Sequence, residues 1–307
     1  MREIADIVHL YELRQRESFA LATLVRARGS SYRRPGARML IAPDGTAVGS
    51  LSGGCLEREV AQRAGVVLRS GVPSRMVFDT RRRFGCSGEI EVFVERARRG
   101  FLEQLALHFH ARKRCWVVTA FEEGIAPVGS DLTTDPEFCP ASALVQAIDP
   151  PVQLVIIGDG PDTAALRSLA AALGWRVIGR ENASGLEGLF DEWTAFLIET
   201  HNYGRDFAAL RELMPQRPRY LGLVGARRRR DQLLADLMDT GVHPGPHLFA
   251  PAGLDLGVDS PEQIALSIIA EIQVVFSGGT RQSLRDRRAP IHAAWRDAAL
   301  PGAALTL

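Results

Sequence analysis

Two cysteines in glycine-bracketed turns hold the most chemical promise in this chain. Cys55 follows Gly53 and Gly54 in SLSGGCLERE and stands at the start of an expected helix over 55–70. The partial positive charge of a helix N-terminus stabilises a thiolate, and paired glycines let a ligand approach the sulfur closely. Cys86, in RRRFGCSGEIEV, lies between Gly85 and Gly88, beside Arg81, Arg82 and Arg83. Soft thiolates suit molybdenum, copper(I), zinc or persulfide chemistry, and arginines suit phosphate. The competing reading makes each a small buried residue in a tight turn; the glycine and arginine context favours function. Cys115 falls inside an expected strand and reads as core, while Cys139, beside Pro140, reads as incidental. No third ligand stands at zinc spacing, which argues against a structural zinc site.

A second constellation opens the C-terminal half. Gly158, Gly160 and Thr163 occupy the positions of a G-x-G-x-x-G turn between the apolar run VQLVIIG and an expected helix over 161–173. Such a turn brings backbone N–H groups to an anion. Glu181 stands where an acidic residue would meet a ribose hydroxyl. Against a dinucleotide, Thr163 replaces the third glycine, and Asp159 and Asp162 put carboxylates where a pyrophosphate would lie. In ETHNYGRD, His201 follows another expected strand, where it would donate to an oxyanion or accept a proton. Thr200, Asn202 and Asp206 equally read as turn and cap residues. The arginine run in GARRRR, 225–230, reads first as a solvated helix face and second as a phosphate site.

These residues need elements to position them. Residues 3–17 have the spacing of an amphipathic helix; 19–25, 37–42, 46–51, 74–80, 89–96 and 115–121 read as strands, with a further helix at 101–113. The proline-bearing stretch 123–150 reads as a linker. From residue 151, strands and helices alternate, which implies a doubly wound parallel sheet. Ser260, Pro261 and Gln263 spell a capping box for a helix near the end. The expected fold is therefore α/β: an N-terminal α+β domain over 1–122, the linker 123–150, a Rossmann-like domain over 151–278 and a helical tail over 279–307.

The 307 residues suit two domains. With 37 basic and 36 acidic residues, the net charge of +1 gives no reason to expect nucleic-acid binding. Absence of a signal-like apolar core and of a membrane-length apolar run points to a cytoplasmic address.

In these motifs the chain resembles the XdhC/CoxI family, accessory factors in the maturation of xanthine dehydrogenase and carbon monoxide dehydrogenase. The resemblance runs over about 10–110 and 150–276, through GSSYRRPGARMLI, GSLSGGCLE, FGCSGEIEVFVE, IGDGPDTAALRSLAAALGWRV, ETHNYGRD, YLGLVGARRRRDQLL and APAGLDLGVDSPEQIALSIIAEI. It implies a chaperone, rather than a turnover enzyme, that binds molybdenum cofactor as cargo and delivers it, in sulfurated form, to an apo molybdenum hydroxylase. A cysteine desulfurase or a cofactor-synthesis enzyme would be a further partner, and a homodimer fits. On this reading Cys55 and Cys86 approach the metal, while Ser30, Ser31, Arg33 and Arg34 meet the phosphate or the pterin. Gly158, Gly160, Glu181 and His201 would hold a nucleotide moiety or NAD(P). Two alternatives stay open: an NAD(P)-dependent oxidoreductase, and a protein-interaction scaffold that binds nothing small.

Overall fold

A computed structural model describes residues 2–29, 31–54, 56–79, 88–122, 128–140, 142–257 and 259–288. They form two compact units, one running to Pro150 and taking in 284–288, the other Pro151–Ser283. Among the described residues, no helix is long and apolar enough to cross a membrane.

The first unit is built on a five-stranded antiparallel sheet in the order β3-β2-β1-β5-β4, where β1 is Ala20–Gly29, β2 Arg38–Ile41, β3 Ala47–Gly49, β4 Ser74–Asp79 and β5 Gly88–Arg96. Side chains alternate between its two faces because the strand period is two. Ala20, Ala22, Leu24, Met39 and Ile41 turn towards helix α2 (Glu57–Ser70), which offers Val60, Ala64 and Val67. Leu21 and Leu40 turn the other way, towards α1 (Arg2–Leu13) and α3 (Arg99–His110). On α1, Ile4, Ile7, Val8 and Tyr11 form the buried stripe, at the spacing a helix needs to present one face. Helix α2 stops at Gly71, whose φ of 72° is left-handed and whose N–H reaches the Val67 carbonyl.

The stretch expected to be a linker proves otherwise. Strands β7 (Gly129–Thr133) and β8 (Leu144–Ile148) pair antiparallel with opposite sides of β6 (Cys115–Ala120), making a second, three-stranded sheet. Pro136 opens a short 3-10 turn and Pro140 follows it, both outside the strands, while Pro127 lies outside the described residues. Cys115 is buried in the core, as expected of it.

The second unit contains a five-stranded, wholly parallel sheet in the order β10-β9-β11-β12-β13, with β9 Gln153–Ile157, β10 Arg176–Arg180, β11 Thr194–Ile198, β12 Tyr220–Leu223 and β13 Leu248–Phe249. Strands β9, β11 and β12 are buried along their whole length, which is why their sequences are continuous apolar runs. Helices α4 (Thr163–Ala172) and α7 (Pro261–Ser277) cover one face. Helices α5 (Tyr203–Leu213) and α6 (Arg227–Asp239) cover the other. The capping box of Ser260 and Gln263 is formed, with Pro261 in the first turn. This is the doubly wound, Rossmann-like architecture, in the 2-1-3-4-5 strand order that reverses direction between its first and third strands. Helix α7 ends at Gly278, left-handed at φ 65°. Of the expected helical tail, residues 279–288 hold only a 3-10 turn, Leu284–Asp286; the rest of the tail lies outside the described residues.

Candidate functional site

Register sends three loops of the first unit towards one end of its sheet. Strand β1 finishes there at Gly29, paired with Gly88 at the start of β5. Strand β4 finishes there at Asp79, paired with Glu89. Strand β2 starts lower down, at Arg38 opposite Thr23, and β3 finishes at Gly49 opposite Met39, so both stop about six residues short of the level of Gly29. The loop after β1, the loop after β3 and the two flanks of segment 80–87 therefore leave the sheet in the same direction, at two levels. At the usual strand spacing, β3 and β5 stand about 14 Å apart across the sheet, and the end of β3 lies about 20 Å short of the start of β5 along the strands. Ser30, Cys55 and Cys86 themselves lie outside the described residues, as do Arg81, Arg82 and Arg83.

Glu57, the first residue of α2, organises the loop that bears Cys55. Its carboxylate accepts hydrogen bonds from the Ser50 hydroxyl at 3.0 Å, the Leu51 N–H at 3.2 Å, the Ser52 N–H at 2.9 Å, the Ser52 hydroxyl at 2.8 Å and the Leu56 N–H at 3.0 Å. Burial alone would raise the Glu57 pKa, but the bonds from Ser52 and Ser50 hold it below its ordinary value, so the group stays anionic. Gly53 and Gly54 stand exposed, and Gly54, at φ 103°, has open space around the position a Cβ would take. The loop is thus tied down at its base, with both glycines open to solvent.

In the neighbouring loop, the Ser31 hydroxyl donates to the Arg33 carbonyl at 2.7 Å, and one Arg33 guanidinium nitrogen donates to Glu3. Arg33 is accordingly engaged with α1 rather than held open for phosphate. Arg34 is exposed.

In the second unit, two loops meet at the carboxyl ends of β9 and β11, where the sheet reverses its winding. The turn after β9 holds Gly158 and Gly160, and the one after β11 holds Glu199, Thr200 and His201. A Cβ built on Gly158 would stand 2.7 Å from the Glu199 carbonyl oxygen; one built on Gly160 would stand 2.8 Å from His201 Nε2 and 3.5 Å from the Glu199 carboxyl carbon. These glycines therefore let the two loops touch. Thr163 Oγ1 accepts the Gly160 N–H at 3.0 Å and donates to Glu199 Oε1. Glu199 is fully buried, and its Oε2 has no hydrogen-bond partner. Asp162, the residue before α4, is 4% exposed and makes no side-chain cap bond.

Burial raises the pKa of both carboxyls. For Glu199 the hydrogen bond from Thr163 works against that and the charge of Asp162 with it; for Asp162 the nearby His201 works against it. A pyrophosphate meets the wrong chemistry here. The Gly160 N–H is already taken by Thr163, and two buried carboxyls crowd the N-terminal turn of α4. Among the described residues no three His, Cys, Asp or Glu groups are placed to hold a metal.

His201, left-handed at φ 53°, is exposed over Gly160. Its neighbours take the cap roles: Asn202 accepts the Arg205 N–H at 3.0 Å, and Thr200 donates to the buried Asp206. Glu181 follows β10 and is exposed; its carbonyl accepts from Arg205. From the arginine run, Arg229 pairs with Asp206, and Arg230 donates to the Ala250 carbonyl at 2.9 Å. Both clamp their own unit together. Sequence reasoning missed Glu57 and Glu199, because each reads as an ordinary residue at the end of an element. An acidic residue closing a fully apolar strand was the available signal for Glu199.

Residues 12–79 match the model of the XdhC and CoxI family, and residues 154–272 match that of the XdhC Rossmann domain. A protein of Bacillus subtilis (strain 168) described as a probable xanthine dehydrogenase subunit is 30% identical over 314 residues, covering 85% of this chain and 94% of that protein. The molybdenum cofactor insertion chaperone PaoD of Escherichia coli (strain K12) is 28% identical, covering 83% of this chain and 82% of its own. The crystal structure of a xanthine dehydrogenase from Bacillus halodurans superposes with a TM-score of 0.76 at 24% identity, covering 90% of this chain and 97% of that one, a likeness of fold.

Proposed function

As the chain belongs to the XdhC and CoxI family, we propose that it is an accessory maturation factor that binds molybdenum cofactor and hands it to a molybdenum hydroxylase. The observation that supports this reading is that the connections following β1, β3 and β4 all leave the first sheet in the same direction. Two of these segments bear a cysteine beside glycines, Cys55 after Gly53 and Gly54 and Cys86 between Gly85 and Gly88. Thiolates there would meet the molybdenum, a soft-ligand centre. Ser30, Ser31 and Arg34 would meet the phosphate and pterin, with Arg33 bracing the loop through Glu3. The open space above Gly54 leaves room for the cargo to approach, and a loop anchored at its base by Glu57 can present a ligand without being rebuilt at each transfer.

A chaperone must release what it carries, so exchangeable thiolate contacts suit it better than a closed cage. Transfer of a sulfurated cofactor would bring in a cysteine desulfurase as a second partner, and the hydroxylase apoprotein is the acceptor. For an NAD(P)-dependent reaction, the carboxyls beside Gly160 and the engaged Gly160 N–H stand in the way of the pyrophosphate.

The test is to purify the chain from cells that make the cofactor and to assay molybdenum and oxidised pterin. Wild type should carry both. Cys55→Ser should lose them while its circular dichroism stays unchanged; cofactor retained at the wild-type level would refute the assigned role.

A further inference from the structure

The switch-point cluster of the second unit remains without a task in the maturation reading. It joins the N-terminal turn of a ten-residue helix, α4, to a fully buried carboxyl that has one oxygen without a partner. In a protein interior a polar atom of that kind is rare, and it points to a missing hydrogen-bond partner. Thr163, across the junction at the start of α4, takes Oε1, and the Gly160 N–H stands near the same carboxyl, while Oε2 keeps no bond. Asp162 adds a second carboxyl that caps nothing. The exposed His201 ring and the Glu199 carboxyl both lie within contact range of the same point, the absent Cβ of Gly160.

The chemistry inverts that of a phosphate loop. Two carboxyls are acceptors when ionised, and what they lack is donors. A planar ring edge with adjacent N–H and NH2 groups supplies such donors in a pair, matched to a carboxylate's two acceptors. We propose that the carboxyl ends of β9 and β11 bind the 2-amino-4-oxopyrimidine edge shared by pterin and guanine rings, with Glu199 and Asp162 accepting its N–H groups beneath the His201 ring. The site lies at the crevice where open α/β sheets take their ligands. Its link to the maturation reading is the choice of pterin as the natural source of that edge; the ring edge itself follows from the carboxyls.

The experiment is a fluorescence and calorimetric titration of the full chain with unsubstituted pterin, guanosine and ADP. Pterin should bind saturably and ADP should neither bind nor displace it. If guanosine binds more tightly than pterin, the edge recognised belongs to a nucleotide; if pterin is tighter, it belongs to the cofactor ring. Glu199→Gln places an amide NH2 against the ligand's own donors, and Asp162→Asn does the same from the other side. Each should weaken binding about tenfold, the share of one charge-assisted hydrogen bond. Should Glu199→Gln fail to fold, Asp162→Asn decides the outcome. Binding of ADP, absence of binding by both rings, or pterin binding that neither variant changes would overturn the inference. Cys55→Ser separates the two readings. It should keep the binding of bare pterin at this site while losing molybdenum, and molybdenum loading that survives a failure here leaves the maturation reading standing.

Discussion

Both oxygens of Glu57 are taken up by donors from Ser50 through Leu56, so this one side chain decides the shape of the loop around Cys55. A glutamine has a single acceptor oxygen and turns an NH2 towards the remaining donors, leaving backbone N–H groups of Leu51, Ser52 or Leu56 unsatisfied, at about 1–3 kcal/mol. Glu57→Gln should therefore raise the amide hydrogen exchange of those three residues by about tenfold or more, with exchange in β1 and β5 unchanged. Unaltered exchange in the loop would show that the glycines alone hold it. The same residue qualifies an inference from sequence. A helix N-terminus does favour a thiolate, but α2 begins at Glu57 rather than at residue 55, and an anionic carboxylate stands in its first turn. The glycine-cysteine spacing was visible along the chain; the carboxylate that sets the loop was hidden, because Glu57 looks like any acidic residue opening a helix.

Among the elements, the antiparallel sheet was legible and the three-stranded one was not. Strands β1, β2 and β5 announce themselves through alternating or continuous apolar residues. Strand β7 reads GSDLT, with little strand propensity, and its place comes from pairing with β6. What ties the two sheets together is polar and buried. Arg38 of β2 is 1% exposed; its backbone N–H reaches Glu3 at 2.6 Å and its guanidinium donates to the Gly36 carbonyl at 3.0 Å and to Gln146 of β8. Burial pulls its pKa down to about 10, against the attraction of Glu3 and Glu95, so it stays charged at neutral pH. Glu95 of β5 accepts the Ser130 N–H of β7 at 2.9 Å. Arg38→Met leaves a shorter, unbranched apolar side chain and removes the buried positive charge that attracts Glu3 and Glu95. A loss of about 3 kcal/mol follows, the cost of breaking a buried ionic network from one side. Urea unfolding of the variant measures it. Adding Glu95→Gln to Arg38→Met should recover part of the loss, and a single variant as stable as wild type would show the seam to be neutral.

At the scale of the whole chain, the two units have separate cores, one set around Leu21, Leu40 and Val92 and another around Leu154, Phe196 and Ile268. The alternation of strand and helix foretold the second unit, including its parallel sheet, since buried parallel strands must be apolar throughout. Its 2-1-3-4-5 order was not legible, because strand order depends on which face each crossover takes. That order brings Glu199 to the glycine turn and gives the second unit its own pH dependence. Burial raises the Glu199 and Asp162 pKa values in the folded state, so between the ordinary carboxyl value and the raised one the native state holds protons that the unfolded chain has released. Native protons in excess mean that stability falls as pH rises through that window and levels off above it. Glu199→Gln cannot ionise, so it escapes the glutamate's share of that fall. Its melting temperature relative to wild type should climb as pH rises from the ordinary carboxyl value through the raised one, in the transition of the second unit alone, while Arg38→Met shifts the transition of the first. A difference that stays flat across that range would mean that Glu199 ionises as freely in the fold as in water, and that its buried oxygen has found a partner.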